Sequence, residues 1–200
     1  DWDQGGWTRS NLDGNIWVYD DAISNYRDRN SFGLGSLSEG IIPAGQGFFV
    51  RTTAGGASLT IPANARVHSG QAYYKNSSSE DNSLSYLVFG ISKENKSDET
   101  WITFNEACSD KVDTGWDVEK FFGDIDSPQL YILENDLPFS TCALPPLVIE
   151  RPTIVSLNLE AGENGEHQLR LKSVEDMEST EIWVEDLATG NLQDMTKNPV

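Results

Sequence analysis

The sequence predicts an all-β protein with antiparallel, sandwich-like or jelly-roll-like sheets and very little helix. Three observations favour this class. Apolar residues come in short runs, and several of these runs alternate with polar residues. Gly, Pro, Asp and Asn separate the runs, as they do at turns between strands. No long segment repeats its apolar residues at the spacing of an amphipathic helix.

The first part of the chain is predicted to hold short strands joined by turns. Asn11–Asn15 has turn composition, and Gly14 suits a positive φ. Gly45 and Gly47 indicate a tight turn or bulge before the next apolar run. The predicted strands are 16–19, a short one around Tyr26, 48–50, 57–61 and 71–74.

A polar segment then separates two modules. Residues 75–83 contain no apolar side chain that could be buried, which is typical of a linker. We therefore predict a β-rich module over 1–78 and a second β-sandwich module over 79–200. A single larger sandwich is the alternative interpretation.

The second part of the chain contains longer predicted strands. They cover 84–91, 98–108, 130–133, 139–144, 153–159, 168–172 and 181–185. The last three alternate polar and apolar residues, which predicts an antiparallel meander with a hairpin turn at 163–165. Only 113–123 could hold a helical turn. The side chains expected to pack in the core of this part are Trp101, Phe104, Ile154, Leu157, Leu159 and Trp183.

The charge of the chain limits its partners. The 200 residues carry a formal net charge of −18. We expect no nucleic-acid partner, because binding to nucleic acid requires a cationic surface that displaces counterions. The sequence has no apolar run long enough for a transmembrane helix, so we expect no membrane insertion. The chain begins without Met and is interpreted as an internal fragment. A second module shortened at its C-terminal end is the alternative to a complete one.

No catalytic motif can be recognised, and we expect the protein not to be an enzyme. His68 and His167 are the only histidines, and no GxSxG motif accompanies either. Carboxylate pairs such as Asp98 and Glu99 are explained by turn formation. We expect no cofactor. A structural calcium ion is the alternative, with ligands among acidic loop residues; these are Asp1, Asp3, Asp13, Asp20, Asp21, Asp124 and Asp126.

Two cysteines, Cys108 and Cys142, lie near the ends of predicted strands. Their spacing is not that of a zinc site. The two side chains are expected to approach each other. A disulfide and a pair of buried free thiols remain alternatives.

Aromatic residues offer one candidate for ligand binding. Sugar-binding sandwiches stack aromatic rings on the apolar faces of pyranoses and use carboxylates or amides for the hydroxyl groups. Trp7, Trp17 and Tyr19 lie in a glycine-rich, polar region, so we predict them as a candidate ligand site, with Asp13 and Asp20 as its polar rim. Packing of these rings in a core is the competing interpretation.

The sequence also resembles a known group of proteins. The segments that carry the resemblance are DETWITFNEACSDKVDTGWDVEKFFGD, PQLYIL, ALPPL, GWTRSNLDGNIWVYD, IPAGQGFFVR and ASLTIPANARVHS. Together they resemble the β-rich segment that precedes the type IX secretion sorting domain in large cell-surface and secreted proteins of Bacteroidetes. The resemblance covers most of the chain but implies no catalytic residue.

The resemblance implies a place and a role. We expect an extracellular or outer-membrane cell-surface location and a non-catalytic role in adhesion or as a structural spacer. Partners would be neighbouring domains of the same polypeptide, and glycans or surface proteins. The alternative function is a carbohydrate-binding module attached to a polysaccharide-degrading enzyme.

Overall fold

The fold is all-β and sandwich-like, as the sequence predicts. The computed structural model describes residues 2–3, 6–66, 84–148, 151–177 and 180–200. In these residues the only helices are two 3-10 turns, Ser38–Gly40 and Ala63–Ala65. The predicted strand at 71–74, the predicted boundary at 78/79 and His68 lie outside the described residues.

Fourteen strands form in the described ranges. In chain order they are β1 (Thr8–Ser10), β2 (Leu12–Asp20), β3 (Asn25–Arg29), β4 (Phe49–Thr52), β5 (Ser58–Thr60), β6 (Ser85–Lys93), β7 (Lys96–Phe104), β8 (Val118–Glu119), β9 (Gln129–Glu134), β10 (Leu137–Leu144), β11 (Leu157–Glu160), β12 (Gln168–Glu175), β13 (Trp183–Asp186) and β14 (Asn191–Asp194).

The N-terminal sheet consists of β3, β2 and β4, with β2 in the middle and both pairings antiparallel. Strand β2 is buried on both faces. Ile16 and Val18 enter a small core with Trp2 and Leu37. Because side chains alternate along a strand, Trp17 and Tyr19 point to the opposite face. Strands β1 and β5 pair separately as an antiparallel ribbon.

The large sheet has seven strands in the order β11-β9-β10-β7-β6-β12, with β8 also paired to β10. Strand β10 changes partners along its length. Its first residues pair antiparallel with β9, and Thr141–Leu144 pairs parallel with β7. The main core lies on this sheet; its buried members include Leu87, Phe89, Ile102, Leu130, Ile132 and Phe139.

The predicted meander is wrong. Strand β11 pairs with β9 at one edge of the large sheet, whereas β12 pairs with β6 at the other edge. Strands β13 and β14 pair with each other in a separate hairpin. Alternation shows which face of a strand is buried but does not identify its neighbour, so the sequence could not distinguish a meander from this arrangement.

Several side chains predicted in the core are exposed. Ile154 is 88% exposed, Leu159 49% and Trp183 48%. Ile154 precedes β11 in a segment without strand pairing, Leu159 lies on the edge strand β11, and Trp183 lies in the two-stranded β13–β14 hairpin, so few neighbours cover these side chains. Trp101 is partly buried and lies beside Tyr86, with ring centroids 5.1 Å apart.

The segment 113–123 contains one closed turn and then a strand. The amide N–H groups of Trp116 and Asp117 both donate to the Asp113 carbonyl, each at 3.0 Å. The chain then becomes extended in β8, where Val118 pairs with Thr141. Tertiary pairing with β10 therefore replaces the rest of the predicted helical turn.

Polar contacts join the N-terminal sheet to the segment that carries β8. The Asn15 amide donates to the Asp117 carbonyl at 2.8 Å, and the Trp17 indole N–H donates to the Glu119 carbonyl at 3.0 Å. The Asn30 amide donates to the Trp116 carbonyl at 2.9 Å. These bonds connect residues about a hundred positions apart and fix the N-terminal sheet against the large sheet.

Candidate functional site

The most deeply buried charges lie where the N-terminal sheet meets the large sheet. Lys120 Nζ contacts Asp98 Oδ2 at 2.5 Å, and their side chains are 2% and 3% exposed. The same Asp98 oxygen accepts the Leu130 backbone N–H at 2.6 Å. Burial raises the pKa of Asp98, and the Lys120 ammonium opposes that rise. The pair thus links β7, β9 and the residue after β8.

Asp28 of β3 contributes a second buried carboxylate to this region. It accepts hydrogen bonds from Ser36 Oγ at 2.8 Å and from Thr141 Oγ1 at 3.1 Å. Burial raises the pKa of Asp28, while the Ser36 hydrogen bond and the nearby Lys120 ammonium lower it. Because Thr141 lies on β10, this carboxylate connects the two sheets directly.

Asp117 stands beside the two cysteines. Its carboxylate accepts the Ala143 N–H at 2.6 Å and the Asp113 N–H at 2.5 Å. Burial raises the pKa of Asp117 to about 6, with Glu134 and Asp113 adding to the rise and the two backbone hydrogen bonds opposing it. The charge of Asp117 therefore changes in the mildly acidic range.

Cys108 and Cys142 are both buried, and both are free thiols in the structure. Burial raises the pKa of Cys108 to about 11. Burial raises the pKa of Cys142 further, and Asp117, Glu134 and Cys108 itself add to that shift. The two thiols therefore share one neighbourhood and resist ionisation at neutral pH. Of the two alternatives, a disulfide and a pair of buried free thiols, the structure contains the free thiols.

The aromatic residues predicted to bind a ligand occupy different environments. Trp17 is 1% exposed, and its ring stacks on Phe121 with centroids 4.4 Å apart. Trp7 is partly buried against Trp2, at 5.0 Å between ring centroids. Tyr19 is partly exposed, and its hydroxyl donates to Asp124 Oδ1 at 3.0 Å. Tyr19 is the predicted ring with the clearest access to a ligand.

The two predicted rim carboxylates have local structural partners. Asp13 Oδ1 accepts the Asn15 backbone N–H at 2.9 Å, which closes a turn in β2. Asp20 is buried, pairs with Arg27 Nε at 2.7 Å and accepts the Ala22 N–H at 3.0 Å. Both carboxylates support the backbone around β2 and do not stand together at one surface.

An aromatic cluster that the sequence reasoning missed lies on the N-terminal sheet. Tyr26 contacts Tyr19, Phe49 and Phe121, with ring centroids 5.2, 6.0 and 5.5 Å away. We call Tyr19, Tyr26, Phe49 and Phe121 the aromatic cluster. The cross-strand pairs Tyr19↔Tyr26 and Trp17↔Phe49 place these side chains on one face. The strand pairing was the missing information, since the four residues are dispersed in sequence.

Metal binding finds no support in the described part of the chain. No group of three or more His, Cys, Asp or Glu side chains is placed there to hold a metal ion. The ring nitrogens of His167 contact the carbonyls of Gly165 and Ala161 at 3.1 and 2.9 Å, within its own loop. Among the described helices, none has the length and apolar character needed to cross a membrane.

A shallow cleft opens at one end of the large sheet, where β7 ends and β6 begins. Phe104, Leu147 and Met177 form part of its lining, together with Glu106 and Asp176. The cleft combines apolar side chains with carboxylates, and none of the described residues that line it is a cation. It contains none of the residues predicted from the sequence as a site.

The chain matches a protein family model over nearly its whole length. The family model described as "Domain of unknown function (DUF8693)" matches residues 7–200. No curated protein and no solved structure matches the chain. The match covers both sheets and the aromatic cluster.

Proposed function

The chain belongs to the DUF8693 family, and we propose that it is a non-catalytic module of an exported bacterial cell-surface protein, with a structural-spacer or adhesion role. The observation that carries this proposal is where the buried charged side chains lie and what they contact. Lys120, Asp98 and Asp28 lie between the N-terminal sheet and the large sheet. They connect elements of the fold to one another.

Removing a charged side chain from water costs free energy, so the places where the protein buries such side chains indicate their role. Replacing a buried ion pair by apolar side chains is often neutral or stabilising, whereas breaking one is strongly destabilising. We infer that the buried pair of this protein contributes more to a unique arrangement of its strands than to its total stability. Here the arrangement is the packing of two sheets, which suits a module that transmits force or holds other domains apart.

The other buried carboxylates are used in the same way. Asp20 pairs with Arg27, and Asp117 accepts two backbone N–H groups. Each of the four buried carboxylates of the described residues thus has internal hydrogen-bond donors. A catalytic acid or base must reach a proton on a substrate. Because these carboxylates already accept hydrogen bonds from within the protein, a structural role is favoured for them.

Two sequence features support export. The resemblance to segments that precede type IX sorting domains connects the chain with surface proteins of Bacteroidetes. The net charge of −18 favours solubility and weak nonspecific association. Neighbouring domains of the same polypeptide are then the first partners of the module.

Stretching the 200-residue protein between two handles tests the spacer role. A spacer in which the sheets are fixed together should unfold in one event that releases about 65–70 nm of chain. Separate events of about 25 nm and about 40 nm would show that the two parts yield independently. Turnover of a glycoside or ester substrate that disappears when one carboxylate is replaced would contradict the non-catalytic role.

A carbohydrate-binding module is the second candidate, and one observation favours it. Phe49 is 52% exposed within the aromatic cluster, and carboxylates lie close to the same rings. Exposed aromatic rings next to hydrogen-bonding groups are the features that a sugar site requires.

A further inference from the structure

The aromatic cluster presents an exposed ring on a rigid support. Phe49 is 52% exposed and lies on β4, next to β2. Its ring centroid lies 5.7 Å from that of Phe121 and 6.0 Å from that of Tyr26. Beneath them, Trp17 stacks on Phe121. Packing therefore holds the exposed ring of Phe49 in place. Because this side chain is already ordered, binding of a ligand to it costs little conformational entropy.

Polar groups surround these rings at the end of β2. The Tyr19 hydroxyl donates to Asp124 Oδ1 at 3.0 Å. Burial raises the pKa of Tyr19, and Asp124 and Asp21 add to the rise, so both carboxylates lie near the hydroxyl. Gln46 Nε2 donates to the Tyr19 carbonyl at 3.3 Å. Carboxylates, a phenol and an amide are the partners that sugar hydroxyl groups need.

The size of the surface argues against a protein partner. Stable protein interfaces bury about 800 Å² on each partner. The cluster contains four rings, and Tyr19, Tyr26 and Phe121 are already partly buried. One exposed ring with polar neighbours instead matches the combination of apolar faces and hydroxyl edges in a pyranose.

The ring orientations restrict the form of the sugar. The planes of Tyr19 and Tyr26 meet at 71°, and those of Tyr26 and Phe49 at 74°. A flat crystalline polysaccharide requires several exposed coplanar rings, whereas Tyr26 is steeply inclined to both of its neighbours and Phe49 is the exposed ring of the cluster. A single dissolved chain can place one residue against Phe49 and its hydroxyl groups beside Asp124.

The charge of the rim restricts the sugar further. Asp21 and Asp124 both place exposed carboxyl groups at the rim. The nearby cation Arg51 is paired with Glu119 at 2.5 Å. A uronic acid would therefore meet like charges, which favours an uncharged glycan.

We propose that the aromatic cluster, with Asp21, Asp124 and Gln46 as its rim, binds a single chain of neutral oligosaccharide through stacking on Phe49. This inference rests on the carbohydrate-binding candidate and names its site. It differs from the site predicted from the sequence, because Phe49 replaces Trp17 as the contact ring and Asp124 replaces Asp20 as a rim carboxylate.

Calorimetric titration of the 200-residue protein tests the site. The probes are cellohexaose, xylohexaose, mannohexaose and, as the anionic comparison, hexagalacturonate. We expect at least one neutral hexaose to bind and hexagalacturonate to bind more weakly. Phe49→Ala should weaken binding at least about tenfold, as expected for loss of a stacked ring. Phe49→Tyr keeps the ring and should retain binding.

Trp183→Ala is the matched control, because Trp183 is 48% exposed but belongs to the β13–β14 hairpin. It should bind as the unchanged protein does. If Phe49→Ala lowers the melting temperature, Phe49→Leu, which keeps an apolar side chain, replaces it. Absence of binding to every neutral hexaose, stronger binding of hexagalacturonate, or equal losses in the Phe49 and Trp183 variants would overturn the proposal. The number of unfolding events under force is unaffected by these outcomes, so the spacer role is judged separately.

Discussion

Replacing Lys120 by Met should destabilise the protein strongly. The side chains of Lys120 and Asp98 are 2% and 3% exposed, and the ammonium lies 2.5 Å from the carboxylate. Met has a similar length and fills the space, so the principal change is the loss of the charge. Asp98 then retains the Leu130 N–H as a donor but no cation, and Asp28 loses a nearby positive charge.

The expected loss is about 3–5 kcal/mol of unfolding free energy, the range observed when one partner of a buried pair is removed. Proteins of this kind have about 5–15 kcal/mol in total, so the variant should be folded but marginal. Removing both charges, in Lys120→Met with Asp98→Asn, should restore part of the loss because no unpaired ion remains.

Urea unfolding at pH 7, followed by tryptophan fluorescence, measures these differences. The control is Lys197→Met. Lys197 contacts Asp194 at 2.6 Å, nearly the same distance, but its side chain is 78% exposed. Solvent screens such a pair, and no measurable change is expected. Equal effects of the two Lys→Met substitutions, or a loss below about 1 kcal/mol for Lys120→Met, would refute the reasoning.

Three further predictions follow from the same structure. The pKa of Asp117 rises from 3.8 to about 6 on folding, so the stability that its protonation contributes is present below about pH 4 and is lost as the pH rises to about 6. The urea midpoint of the unchanged protein minus that of Asp117→Asn should therefore fall across that window, and a constant difference would contradict this. Cys108 and Cys142 are buried thiols with raised pKa values, so a thiol reagent should label them slowly in the native protein and fully after denaturation without reductant. Rapid labelling of the native protein would contradict their burial. Trp17→Ala should cost about 3–5 kcal/mol in chemical denaturation, because the residue is 1% exposed and stacked on Phe121, and a loss no larger than that of Trp183→Ala would show that the ring is not a packing residue.

The strands were largely predictable from the sequence, because alternation and turn residues are local signals. The runs at 16–19, 130–133 and 139–144 all lie within observed strands. The neighbours of each strand were not predictable. The 163–165 turn has hairpin composition, yet β11 and β12 lie at opposite edges of the large sheet. Pairing depends on which surfaces remain to be covered, and that information is distributed over the whole chain.

The candidate site was predictable only in part. Tyr19 was predicted as a site residue with Asp13 and Asp20 as its rim, but the carboxylate that its hydroxyl contacts is Asp124, more than a hundred positions away. Trp17 has the same local composition as Tyr19, yet it points against Phe121 and is buried. Their different exposure results from packing of the N-terminal sheet against residues 116–124, a contact that no local pattern reveals.

Hydrogen exchange most directly tests the claim that the N-terminal sheet and the large sheet form one unit joined by buried polar contacts. Peptides that cover β2 and β7 should show the same free energy of opening in the native protein, because neither strand can open without the other. Lys120→Met should lower both by the same amount. Protection of β2 that is weaker than that of β7 by more than about 1 kcal/mol and unchanged by Lys120→Met would contradict the claim, since β2 would then open without disturbing the buried ion pair.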